Sequence, residues 1–221
     1  MALSIKHLLK KHAVTTALMV ILSAGLIGQS MFITHERYIG AHIQDLSNFY
    51  RYGLNIVNGD IPYRDFEIEY PPLALVPFTL PHLFLWERPT PPRHYLILFL
   101  LENTLFCLLS GLIISHLISR KTTPLVIYVI AAITISSLLP WRYDMFPALL
   151  TIISFLCLHR GRPFTAGVSL GLAITAKLYP VVLIPVSCVY FTAIKDFRAV
   201  RYYILGIIST GMLLIPFFIF D

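Results

Sequence analysis

Charge is what this sequence has least of. Asp, Glu, Lys and Arg make up only 13% of its 221 residues, while 57% are hydrophobic. A soluble domain carries about 25% charged residues and roughly 45–50% apolar ones. Too few polar side chains are present to cover a soluble surface, and mean hydropathy is correspondingly high, at +0.76. Long basic runs are also missing. The formal net charge of +6 comes from short Lys and Arg clusters set between apolar stretches, which is how positive charge orients membrane proteins and not how nucleic acid is bound. Cysteine is scarce: Cys107, Cys157 and Cys188 all lie inside apolar runs and read as small apolar residues, not as a disulfide framework or a metal site. No His/Asp cluster stands at metal-ligand spacing, so the residues call for no metal and no cofactor.

What the sequence has in quantity is apolar length. A hydrocarbon core about 30 Å thick needs around 20 helical residues. Ala13–Ile33, Tyr95–Ile118, Thr122–Pro140 and Tyr202–Phe220 meet that length, while Tyr143–Leu158, Pro163–Ala176 and Leu178–Ile194 are shorter and borrow flanking residues to cross. Leu73–Trp86 is shorter still and contains Pro77 and Pro81. The first run follows Lys6, Lys10 and Lys11 and reads as an uncleaved signal-anchor, since it exceeds the usual secretory h-region and further spans follow it. If Leu73–Trp86 does not cross, Arg120–Lys121, Arg160–Arg162 and Lys195–Arg201 all share the side of the N-terminal lysines. The positive-inside rule favours that arrangement. It predicts an all-α integral membrane bundle of seven crossings over residues 1–221, with a cytoplasmic N-terminus. A long external first loop, Thr34–Pro72, precedes most of the spans.

That loop carries six of the eleven acidic residues, Glu36, Asp45, Asp60, Asp65, Glu67 and Glu69. Ile43, Leu46, Tyr50, Leu54 and Val57 recur at steps of three and four, predicting an amphipathic helix that lies at the membrane surface. Gln44, Asn48, Arg51 and Asn55 form its polar face, and Asn58-Gly59 ends it. Asp45 is expected in its first turn, where an acid also serves simply to complement the helix dipole. Glu69-Tyr70-Pro71-Pro72 reads equally as a rigid lead-in to the next run. Trp141-Arg142-Tyr143-Asp144 and Lys177-Leu178-Tyr179-Pro180 fall on the same side as the loop, and each alone reads as an interfacial anchor. Glu102 and Asn103 sit inside a span, about 10–13 Å below its outer end. An ionisable group at that depth is costly and is a functional candidate by default; for Asn103 a packing hydrogen bond is the competing account.

Taken together, Asp45-x4-Tyr50, Gly59-Asp60-Ile61-Pro62-Tyr63 and Glu69-Tyr70-Pro71-Pro72 resemble the first external loop of the GT-C integral membrane glycosyltransferases. The closest likeness is to the polyprenol-phosphate-mannose-dependent α-mannosyltransferases of glycosyltransferase family 87. Arg142-Tyr143-Asp144 and the stretch from Ala166-Gly167-Val168 to Lys177-Leu178-Tyr179-Pro180 resemble later motifs of that group. The resemblance implies sugar transfer, of mannose, from a polyprenyl-phosphate donor to a lipid or glycan acceptor at the external face of the membrane, the plasma membrane in a prokaryote. It also implies that these residues are the N-terminal part of a longer fold. An Asp of the first external loop is the base in that family, and Asp45 matches it. Arg142 and Lys177, and less directly Arg51, are the candidates for the donor phosphate, with Glu69, Tyr70, Asp144, Tyr179 and Glu102 as further site residues. A transporter or structural subunit is the reading from another class. It would show inverted repeats with polar residues near the midplane, whereas here no clear repeat is found and polar residues gather near one face.

Overall fold

The computed structural model describes residues 2–33, 39–84, 92–117 and 122–212, with side chains from residue 13 to 28 and from residue 45 onward within those segments. Glu36–Arg37, Trp86, Arg120–Lys121 and the 213–220 end of the last apolar run therefore lie outside the described residues, as do the side chains of Lys6, Lys10, Lys11, Ile43 and Gln44.

Among the described residues the chain is helical throughout, with no strand. The elements are α1 (Ala2–Ile33), α2 (Ile39–Asn58), α3 (Leu75–Leu83), α4 (Pro92–Leu117), α5 (Thr123–Thr134), α6 (Met145–His159), α7 (Pro163–Ala176), α8 (Leu183–Ala193) and α9 (Phe197–Gly211). Short 3-10 turns at Pro72–Ala74, Leu139–Trp141 and Tyr179–Val182 lead into α3, α6 and α8. Proline at the first or second position starts α5 and α7 as well as these turns, where its missing N–H has no helical partner to lose. Helix α4 is long and apolar enough to cross a bilayer; Ala13–Gly28, Pro72–Leu83, Thr123–Thr134, Met145–His159, Pro163–Ala176 and Tyr179–Ala193 are shorter apolar helices.

Polar contacts between helices fix their directions. Thr15 Oγ1 and Ser115 Oγ lie 3.2 Å apart and Gly111 lies beside Met19, so α1 and α4 run antiparallel, the middle of α1 lying beside the end of α4. The Arg160 guanidinium meets His116 Nε2 at 3.2 Å, so α4 and α6 end together. The Tyr128 hydroxyl donates to the Cys107 carbonyl at 2.8 Å, and the Ser154 hydroxyl to the Ala166 carbonyl at 2.8 Å, joining α4 to α5 and α6 to α7. Helices α7 and α9 run side by side in the same direction at very close range. A Cβ on Gly167 would overlap the Tyr203 carbonyl, one on Gly171 the Thr210 hydroxyl, and one on Gly206 the Phe164 carbonyl. Small residues at such a seam let backbones approach where the solvent is as apolar as the side chains.

The result is a bundle with two unlike ends. The short turns Arg160–Arg162 and Ile194–Asp196 and the C-terminal end of α4 share one end, beside the middle of α1. The other end gathers α2, α3, the start of α4, the 135–144 connection and the 177–182 turn. There, α3 packs against α2, with Phe78 stacked on Phe49. Outward-facing large apolar side chains, among them Leu101, Leu105, Leu109 and Leu112 along α4 and Val186 and Val189 on α8, form the surface that a bilayer would cover.

Candidate active site

The site end is built on an aromatic floor. Phe49 of α2 stacks on Phe78 of α3 with ring centroids 4.2 Å apart. Tyr143 stands edge-on to Phe49 at 5.6 Å and to Phe78 at 5.1 Å. Tyr70 meets Tyr143 edge-on at 5.4 Å. Edge-to-face and offset pairs of this kind each contribute about 0.5–1.5 kcal/mol beyond their area. Helix α2, the loop before α3, α3 itself and the distant 135–144 connection are thus locked in register by one cluster. Gly53 lets α2 settle on α3: a Cβ there would overlap the Phe78 carbonyl and crowd His82.

The loop between α2 and α3 is held by its own polar groups. Gly59, at φ 101°, ends α2 in a left-handed conformation, which glycine adopts without steric cost. Tyr63 also takes a positive φ, of 68°, a strained setting for a residue with a side chain. Its hydroxyl donates to the Tyr70 carbonyl at 2.6 Å, and the Asp65 carboxylate accepts from the Ile61 N–H at 2.7 Å. The Gly-Asp-Ile-Pro-Tyr stretch is therefore the brace that holds Tyr70 against the floor. Sequence reasoning did not assign Tyr63 that task; the aromatic ending the motif was the available signal.

Two ion pairs stand on this floor. Arg142 reaches across to α2, where its Nη1 donates to Asp45 Oδ2. Asp144 accepts from the Lys177 ammonium at the end of α7. Between the two, the Tyr143 ring carries the Lys177 ammonium over its face at 4.9 Å, a favourable cation–π placement. Tyr143 was only part of a motif at the sequence level; in the structure it links all the other parts. Burial pushes its phenol well above the usual range, with Asp144, Tyr70 and Tyr179 adding to the effect. The phenol of Tyr70 is pushed up to about 12, by burial first and then by the Asp45 and Glu69 carboxylates. Both are neutral hydrogen-bonding groups at physiological pH.

Helix α2 begins at Ile39, so Asp45 lies well inside it, not in the first turn. The dipole-complementing role considered for it does not apply, because the macrodipole acts within the terminal turn. Asp144 does occupy the N-cap position of α6, but its side chain makes no capping bond and turns to Lys177 instead. The remaining candidates are more scattered. Arg51, about 240° further round α2 from Asp45, is exposed, 3.4 Å from Asn48 Oδ1 and over the Tyr52 ring at 5.6 Å. Glu69 is exposed beside Tyr70, and Tyr179 lies at the start of the turn that follows Lys177. Glu102 is buried within α4, and among the described residues neither carboxylate oxygen has a hydrogen-bond partner; the amide of its neighbour Asn103 donates to the Phe99 carbonyl at 3.0 Å, the packing bond considered for it.

Neither curated proteins nor solved structures gave a match to this chain. A family model did match, glycosyltransferase family 87, over residues 68–221. The match takes in Glu69, Tyr70, Glu102, Arg142, Asp144, Lys177 and Tyr179, and it leaves Asp45 and Arg51 before its start. The contact between Arg142 and Asp45 joins the unmatched helix to the matched bundle. Well over half of the chain is covered by the model of a membrane-associated family that transfers glycosyl groups, and the chain belongs to glycosyltransferase family 87.

Proposed function

We propose that the protein transfers a sugar, mannose by its family resemblance, from a polyprenyl-phosphate donor to a lipid or glycan hydroxyl at the external face of the membrane. One observation carries this reading. Asp45, Arg142, Asp144 and Lys177 come from three distant parts of the sequence and form two ion pairs whose middle members flank Tyr143, with the Lys177 ammonium over its ring. A carboxylate and two cations within one patch match what the reaction requires. The acceptor hydroxyl attacks the anomeric carbon and a new C–O bond forms. Its proton passes to Asp45. The bond from the anomeric carbon to the phosphate oxygen breaks, and the polyprenyl phosphate leaves with the electron pair. Arg142 and Lys177 balance the negative charge that grows on that phosphate.

A lipid-linked donor explains the setting. Its tail belongs in the bilayer and its phosphate at the interface, where fixed cations act more strongly than in bulk water. Seven crossings in the GT-C manner put the turns rich in Arg and Lys in the cytoplasm and the site outside. Binding of undecaprenyl phosphate in detergent tests the reading. Arg142→Met and Lys177→Met are expected to weaken it about tenfold or more, Lys177→Arg to preserve it, and Arg142→Lys to lose more than Lys177→Arg, since an ammonium cannot hold phosphate through two parallel hydrogen bonds. Unchanged affinity in both Met variants would leave the two cations as interfacial anchors.

A further inference from the structure

Each cation of the proposed donor site already has a carboxylate partner. Arg142 is held by Asp45 and Lys177 by Asp144, and the four side chains remain between about a third and a half exposed, at 45%, 34%, 36% and 39% in that order. Two negative and two positive groups make the patch neutral, which is a poor attractor for an anion. One Asp45 oxygen, Oδ2, already accepts from an Arg142 N–H. Asp144 forgoes capping α6 to reach Lys177, so this second pair is made at the expense of a local one.

We propose that these pairs are a resting lock which the donor phosphate opens by exchange, so that Asp45 is released as base only once the donor is seated. The idea rests on the donor-site reading above and adds regulation to it. A sugar phosphodiester carries one negative charge and draws Arg142 away from Asp45. The departing phosphate monoester carries close to two, and the added charge draws Lys177 from Asp144 as the bond to the sugar breaks. Asp144 is then a positioning residue, holding Lys177 over Tyr143 until that moment. The exchange orders the reaction: donor first, acceptor second.

The lock makes a prediction opposite to that of a carboxylate that merely shapes the site. Removing a competing carboxylate should tighten donor binding. Undecaprenyl phosphate is titrated against wild type, Asp45→Asn, Asp144→Asn and Glu67→Gln in the same detergent. Partly exposed ion pairs are weak, so each Asp→Asn change is expected to tighten binding about two- to fivefold. Glu67→Gln, exposed on the loop between α2 and α3, removes one charge without freeing a cation and should change affinity by less than either. Should Asp45→Asn fail to fold, Asp45→Ser and Asp144→Asn carry the comparison. Equal or weaker binding by the Asp variants, with Arg142→Met still impaired, would overturn the lock and spare the donor site. Equal tightening by Glu67→Gln would reduce the effect to bulk electrostatics and overturn it as well. Unchanged binding by Arg142→Met and Lys177→Met would remove both the donor site and the lock.

Discussion

At the scale of single residues, the chemistry of this site is set by what surrounds each group. Tyr63 and Tyr70 are joined by the hydrogen bond from the Tyr63 hydroxyl to the Tyr70 carbonyl, and burial pushes both phenols up to about 12 from the ordinary 10.0. A phenol raised in this way is neutral in both folded and unfolded chains below pH 10. Above it, the unfolded chain ionises first, so stability falls as pH rises from about 10 toward 12. Thermal melting of the detergent-solubilised protein should show that alkaline loss, and Tyr63→Phe with Tyr70→Phe should flatten it. An unchanged slope in the double variant would place the responsible groups elsewhere. Of the residues singled out in the sequence, Arg142, Asp144 and Lys177 flank helix ends at one end of the bundle, and Asp45 joins them from within α2, which packs across that end. Arg51 was credited for its charge alone, and charge says nothing about which way a helix face turns.

At the scale of elements, α2 shows how far periodicity reaches. The spacing of Leu46, Tyr50, Leu54 and Val57 marks a helix, and Asn58-Gly59 marks its end, which the structure places at Asn58. Its start and its buried face are not legible in the same way. The face pressed hardest into the protein carries Phe49 and Tyr52, because Gly53 permits contact with the α3 backbone. That choice depends on a partner element that a local pattern cannot see. Gly53→Ala should therefore lift α2 from α3, destabilising the protein by about 1–3 kcal/mol, as overpacking does. The melting temperature should fall, and transfer should fall with it as Asp45 moves from Arg142. A variant with wild-type melting and activity would show that the close approach of α2 to α3 is not needed.

At the scale of the whole molecule, charge and apolar length propose a topology, which labelling tests. Arg160–Arg162 and Lys195–Arg201 are the clusters that the proposed orientation puts in the cytoplasm. What could not be read is the pairing. Asp45 and Arg142 are 97 residues apart, and Asp144 and Lys177 are 33 apart. No periodic signal spans such distances, whereas the folded bundle closes both. Cysteine labelling from the external side should reach positions 60 and 142 but leave 161 and 197 protected. Labelling of position 161 from outside would reverse the orientation and remove the site from the external face. The central claim is that Asp45 takes the acceptor's proton, and the most direct measurement is transfer of labelled mannose from polyprenyl-phosphate-mannose in membranes containing the wild-type or the Asp45→Asn protein. Loss of about 10²–10⁴-fold in turnover, the usual worth of a positioned base, with donor binding retained, is the predicted result; wild-type turnover by Asp45→Asn would contradict it.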